Sequence, residues 1–266
     1  MKIDFSGKVA LVTGGASGIG RSICLEYAKA GANVVCVDIN EQSGQETASL
    51  VEKEGVRGKF IYADVTKAEH VKNYIRQTVD SFGRIDAFAI NAGWEGVVAP
   101  ITDYPEDVFE KLMDINVKGV FLGLKYALPQ LIAQKSGAVV VTASRASWIG
   151  APGFSGYVTS KHAVLGLVKT AALEVAKDGI RVNAVCPGSV RTPLLERYGQ
   201  SVNPDDPEQF LRIRASKIPD GRLGETIEVA RQIVYLSSDL ASHITGQSLI
   251  IDGGALAGEQ AIPYER

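Results

Sequence analysis

Tyr157 and Lys161 stand four residues apart in Gly156-Tyr-Val-Thr-Ser-Lys-His-Ala-Val-Leu-Gly166. This stretch reads as the start of a helix, so the phenol and the ammonium share one face. A tyrosine is a poor acid or base near neutral pH, with an ordinary pKa of about 10. A fixed positive charge beside it favours the phenolate and lowers that value. The chemistry on offer is proton exchange with an oxygen. The spacing alone is common on surface helices, so the pair acquires meaning only from its partners.

Ser144 is the first partner. It ends the run Ala138-Val-Val-Val-Thr-Ala-Ser144, thirteen residues before Tyr157. A hydroxyl there can share an oxygen with the phenol, although a serine after a strand is more often a plain turn or cap. The second partner lies near the N-terminus. Lys8-Val-Ala-Leu-Val-Thr13 is a short apolar strand that runs into Gly14-Gly-Ala-Ser-Gly18-Ile-Gly20 and then into a helical pattern. Strand, glycine turn and helix together make a dinucleotide site: glycines admit a pyrophosphate to the backbone, and the helix start offers free N–H groups. The next strand, Asn33-Val-Val-Cys-Val-Asp38, ends in a carboxylate eighteen residues after Gly20. That acid suits the ribose hydroxyls of NAD and repels the 2′-phosphate of NADP. Neither Ile39 nor Asn40 supplies a compensating cation. NAD is therefore the expected cofactor.

The elements that must position these groups alternate along the chain. Strands are expected at 8–13, 33–38, 58–62, 85–90, 138–143, 180–185 and 247–251, and helices at 19–30, 41–54, 67–82, 105–134 (with a break allowed), 156–177 and 225–238. This rhythm predicts an α/β fold: one Rossmann domain over 1–266, with a doubly wound, mainly parallel seven-stranded sheet covered by helices on both faces. Ligands in such sheets sit beyond the carboxyl ends of the strands, where Gly14 to Gly20, Asp38, Asp64, Asn91, Ser144 and Pro187-Gly188 would meet. Residues 193–224, rich in Pro, Gly and charge, break the rhythm and are read as a lid over the site.

At this point the chain resembles the short-chain dehydrogenase/reductase family. The matching pieces are Thr13-Gly-Gly-Ala-Ser-Gly-Ile-Gly20, Asp64-Val65, Asn91-Ala-Gly93, Asn116-Val-Lys-Gly119, Ser144, Tyr157-x-x-x-Lys161, Pro187-Gly188, Ile244-Thr-Gly-Gln247 and Asp252-Gly-Gly254. The resemblance implies a catalytic set of Ser144, Tyr157 and Lys161 assisted by Asn116. Tyr157 would exchange the proton, Ser144 would polarise the carbonyl, Lys161 would lower the phenol and hold the nicotinamide ribose, and Asn116 would position a water. It also implies Asp64 and Val65 at the adenine, Asn91 near its ribose, and Gly188 through Val190 to Thr192 at the carboxamide and diphosphate. The full cofactor set is Gly14, Ser17, Gly18, Ile19, Gly20, Asp38, Ile39, Asp64, Val65, Asn91, Ala92, Gly93, Pro187, Gly188, Val190 and Thr192, with Tyr157 and Lys161. One departure is Ile90, which stands where the family often has a first asparagine before Asn91.

For the substrate, Trp94 and Glu95 follow the Asn-Ala-Gly motif, Arg145, Trp148 and Phe154 lie between serine and tyrosine, and Leu194, Leu195 and Tyr198 open the lid. Both tryptophans of the chain fall in this set, which favours a bulky, apolar or ring-shaped substrate. Glu95 and Arg145 would pair with each other or meet polar substituents. The pattern over 91–96 is similar to that of levodione reductase and cyclohexanol dehydrogenase members, implying a cyclic secondary alcohol or ketone.

Bulk properties agree. A net charge of −2 gives no footprint for nucleic acid or an anionic membrane, and no apolar run approaches the roughly 20 residues of a span. No secretory h-region is evident, and three scattered cysteines and three scattered histidines suggest neither disulfides nor a metal. A cytoplasmic setting follows. Two rivals remain: a 3-oxoacyl-carrier-protein reductase, disfavoured by Asp38 and the net charge, and a non-enzymatic NAD-binding regulator, disfavoured by the complete triad. The resemblance further implies a homotetramer built on helices 105–134 and 156–177, with the closing segment 255–266 reaching another subunit.

Overall fold

The computed structural model describes residues 3–258, with the backbone alone for 201 and 202. Seven strands carry the core: β1 Val9–Thr13, β2 Asn33–Asp38, β3 Gly58–Tyr62, β4 Ala87–Ile90, β5 Gly137–Thr142, β6 Ile180–Pro187 and β7 Ser248–Ile251. Their order is β3-β2-β1-β4-β5-β6-β7, and every neighbouring pair is parallel. Parallel strands need crossovers, and helices supply them. These are α1 Gly18–Lys29, α2 Glu41–Glu52, α3 Ala68–Phe82, α4 Glu106–Met113, α5 Gly119–Gln134, α6 Ser155–Val175, α7 Pro193–Val202, α8 Pro207–Ser216 and α9 Thr226–Ser237.

Strand residues alternate between two apolar layers because successive side chains point to opposite faces. Leu11, Val35, Phe88, Val139 and Val182 pack with α3, α5 and α6. Ala10, Val34, Ala87, Val140 and Val185 pack with α1 and α9 on the other face. The chain steps outward from β1 to β3, then crosses back to lay β4 on the other side of β1. The crevice beyond Thr13 and Ile90, which are register partners, opens at this reversal.

The expected strands and outer helices recur with ends shifted by a residue or two. The run 105–134 is divided: α4 and α5 are joined by a π-helical turn over Asp114–Lys118, which interrupts the regular α-helix without ending its helical path. Segment 193–224 holds two helices, α7 and α8. Each opens on a proline and an Asx or Thr cap, Thr192 accepting from the Leu195 N–H at 3.2 Å and Asp206 from the Gln209 N–H at 2.9 Å. Of the closing segment, residues 259–266 lie outside the described residues.

Candidate active site

The glycine turn starts where β1 ends, and its conformations require glycine. Gly14 has φ +67° and Gly18 φ +52°, and a Cβ on Gly14 would come within 2.8 Å of the Ala92 Cα. Gly20 points away from the opening: a Cβ there would lie 1.9 Å from the Gly14 carbonyl oxygen, so this glycine seats α1 against its turn and does not line the crevice. Ser17 caps α1 without a side-chain bond, and the first turn carries no acid. The amide N–H groups of that helix start are thus free for an anion. With a cradle of small residues and free donors, the turn fits a dinucleotide pyrophosphate.

Asp38 ends β2. Its carboxylate accepts from the Ala16 N–H at 3.0 Å and the Asn40 N–H at 2.9 Å, fixing it at the rim beside the 65 % exposed Ile39. It does not cap α2, since Asn40 holds that post through the Ser43 N–H. Asp64 follows β3. Partial burial pushes its carboxyl up, but bonds from the Thr66 N–H and hydroxyl at 2.9 and 2.8 Å, with the Lys67 charge, leave it below the usual range. Asn91 follows β4, where its backbone N–H donates to the Thr13 hydroxyl at 3.0 Å and its side chain accepts from the Thr142 hydroxyl at 3.0 Å. It therefore ties three strand ends together, and Ile90, in the place of a further polar residue, is buried apolar core.

Ser144 lies after β5. Its hydroxyl accepts from the Ala146 N–H at 3.1 Å, so it is the cap of a short turn as well as a neighbour of the phenol. Tyr157 and Lys161 lie one turn apart on α6, and the Ser144 side chain stands near enough to the phenol to favour its ionised form. Lys161 is buried: its ammonium lies 5.7 Å from the Tyr157 ring centre and donates to the Thr142 carbonyl at 2.9 Å. Burial depresses the lysine to a pKa of about 8. Burial also raises the Tyr157 phenol, more than the nearby Ser144 hydroxyl lowers it. The sequence expectation of a lowered phenol is therefore reversed in the chain alone, because desolvation outweighs the Ser144 hydroxyl and the Glu95 charge adds to it. A phenol, a hydroxyl and a buried amine so arranged can pass a proton to or from an oxygen held between the first two.

Asn116 sits in the π-helical turn and is buried. Its amide donates to the Trp94 carbonyl at 2.7 Å and the Ser160 hydroxyl at 3.0 Å, and accepts from the Trp94 N–H at 2.8 Å. Ser160 in turn donates to the Tyr157 carbonyl at 2.8 Å. The asparagine braces the loop carrying Trp94 against α6 from behind the crevice. A Cβ on Gly93 would lie 3.3 Å from Asn116 Oδ1 and 3.6 Å from Lys161 Nζ, so a residue without one keeps that corner open.

These groups line one cleft of about 1240 Å³. It gathers Gly14, Ser17, Gly18, Ile19, Asp38, Ile39, Asp64, Val65, Asn91, Ala92, Gly93, Ser144, Tyr157, Lys161, Pro187, Gly188, Val190 and Thr192, together with Trp94, Glu95, Arg145, Phe154, Leu195 and Tyr198. Trp148 does not belong: its side chain is 48 % exposed and lies outside the cleft lining. The short turn Arg145–Ser147 brings Arg145 to the cleft and carries Trp148 away. Glu95 and Arg145 form no ion pair, and the cation acting on Glu95 is Arg197. Burial raises the Glu95 carboxyl, and its Oε2 is buried without a hydrogen bond. Sequence reasoning missed Arg197 and Arg214, which face the cleft from α7 and α8, and Lys111, whose ammonium lies 4.9 Å from the Trp94 ring centre.

Known proteins resemble the chain over nearly its whole length. The family model described as enoyl-(acyl carrier protein) reductase matches residues 14–255. A 2,5-dichloro-2,5-cyclohexadiene-1,4-diol dehydrogenase of Sphingobium indicum is 40 % identical over 255 residues, spanning 96 % of this chain and 99 % of that protein. Levodione reductase of Leifsonia aquatica is 37 % identical over 259 residues, covering 95 % and 96 %. A levodione reductase crystal structure superposes with a TM-score of 0.93 at 36 % identity, covering 96 % of this chain and all of that one. An NAD+-bound xylitol dehydrogenase gives 0.90 at 36 % identity, over 94 % and 99 %.

Proposed function

We propose that this chain, which belongs to the short-chain dehydrogenase/reductase family of oxidoreductases, moves a hydride between NAD(H) and a cyclic or bulky secondary alcohol or ketone. The observation that carries the reading is that Ser144, Tyr157 and buried Lys161 line the same cleft as the glycine turn. Ser144 holds and polarises the substrate oxygen, and Tyr157 exchanges the proton with it. Lys161 keeps positive charge beside the phenol and anchors its corner through Thr142. A phenol that burial holds protonated is ready to deliver its proton to a carbonyl. When bound, the nicotinamide supplies or accepts the hydride.

Asp38, fixed at the rim with no cation in the two residues that follow, supports NAD over NADP. The residues that would hold it are the turn Gly14–Gly20, Asp38, Asp64, Val65, Asn91 and the segment Pro187–Thr192. Trp94, Phe154, Leu195 and Tyr198 supply apolar walls for a ring, and one relative carries a cyclic substrate in its name. Helices α7 and α8 form the lid. A cytoplasmic homotetramer completes the reading; free, buried Cys24, Cys36 and Cys186 suit a reducing compartment.

The test is a panel of cyclic secondary alcohols followed through NADH absorbance. Tyr157→Phe should lower turnover by about a thousandfold or more while nucleotide affinity stays within about twofold. Substantial turnover in that variant would remove the proton role, and better kcat/KM with NADP than with NAD would remove the cofactor assignment.

A further inference from the structure

Among the described residues, the arginines outside the cleft all have oxygen partners: Arg57, Arg76 and Arg181 donate to carbonyl or amide oxygens and the other six pair with carboxylates. Arg191 meets Glu208 at 2.7 Å, Arg212 meets Asp206 at 2.9 Å and Arg222 meets Glu228 at 2.8 Å. Those facing the cleft differ. Among the described residues the side chains of Arg145 and Arg214 form neither a hydrogen bond nor an ion pair, although both residues are half-buried. Arg197 at least has the Glu95 charge nearby. Arg214 is held instead by aromatic faces, its guanidinium carbon lying 5.9 Å from the Tyr198 ring centre and 5.4 Å from that of Phe210. Burial, and then the repulsion of the Arg145 charge, lowers its pKa.

Two like charges sharing a partly desolvated wall without a counter-ion are unfavourable, and a bound anion relieves both terms. Their position says which ligand supplies it. Arg145 directly follows Ser144, and Tyr198 meets Phe154, three residues before Tyr157, with ring centres 6.3 Å apart. Asp38 and Asp64, by contrast, end β2 and follow β3 at the far end of the sheet order. The pair therefore belongs to the substrate end of the cleft. Guanidinium forks match the planar oxygens of a carboxylate in bidentate geometry.

We infer that the substrate is an alcohol or ketone bearing a carboxylate, which Arg145 and Arg214 bind across the aromatic wall from the Ser144–Tyr157 pair. The inference rests on the reading above for the reacting group, but the anion site is testable without turnover. Full-length protein saturated with NADH would be titrated calorimetrically with cyclohexanecarboxylate and with its neutral isostere, cyclohexanecarboxamide. The acid should bind about tenfold tighter or more. Arg145→Gln and Arg214→Gln should each erase most of that preference, whereas Arg76→Gln on α3 should preserve it. Equal binding of acid and amide by the unaltered protein, or a preference that survives both cleft substitutions, overturns the anion site. A protein that prefers the acid yet oxidises no alcohol overturns the oxidoreductase reading and leaves the anion site standing.

Discussion

Lys161 shows how one buried side chain makes the site sensitive to pH. Desolvation brings its pKa to about 8, so the ammonium is charged below that value and neutral above it. Ketone reduction needs that charge and a protonated phenol together. The kcat/KM for reduction should therefore fall as pH rises through about 8. In Lys161→Arg, whose guanidinium stays charged, the overall rate should be lower but the fall should vanish. A profile flat to pH 9.5 in the unaltered protein would contradict this. The linkage to stability has a definite sign. A lysine with a depressed folded pKa penalises the folded state while it is charged, so stability rises with pH between about 8 and the unfolded value of about 10.4. At this scale the sequence was a good guide to which residue types meet and a poor one to direction. Tyr157, Ser144 and Lys161 were legible from spacing and family likeness. Trp148 was misplaced because closeness to Ser144 in sequence says nothing of how the Arg145–Ser147 turn aims the next residue.

Among the elements, the π-helical turn at Asp114–Lys118 was the hardest to foresee. The apolar pattern of 105–134 continues through it, since the turn adds one residue without breaking the helical path. Its effect is local: it is where Asn116 reaches both the Trp94 backbone and Ser160. Deleting Val117 would let α4 and α5 merge into one regular helix. The melting temperature should fall by only a few degrees at most, about the effect of 1 kcal/mol in a domain of this size. Turnover should drop by about a hundredfold, since the loop behind the cleft loses its brace. Loss of activity in step with loss of fold would refute this separation. Segment 193–224 was legible as an insertion, because Pro and charge interrupt the rhythm. That Arg197 and Arg214 turn inward was not, because a charged residue among charged residues carries no local sign of its direction.

For the whole molecule, the parallel seven-stranded sheet followed from the alternation of apolar strand runs and helical runs, the strand order came only from the structure, and assembly leaves a fainter mark. Leu173 on α6 is 83 % exposed, and Phe121 on α5 is 46 % exposed. Large apolar side chains standing clear of the core on these two helices suit a covered face. Leu173→Glu should shift the light-scattering mass below that of the parent and leave the far-ultraviolet dichroism unchanged; a parent that is already monomeric would refute the tetramer. Finally, because all seven strands point the same way, the groups that line the cleft gather at one rim. The opposite rim, with turns such as Lys53–Val56, contributes nothing to the lining of this cleft. At Gly55 the chain has φ +83° and open space around it. A reporter peptide spliced there should leave catalysis untouched, making that edge a ready handle for tethering the molecule to a surface with its cleft facing outward.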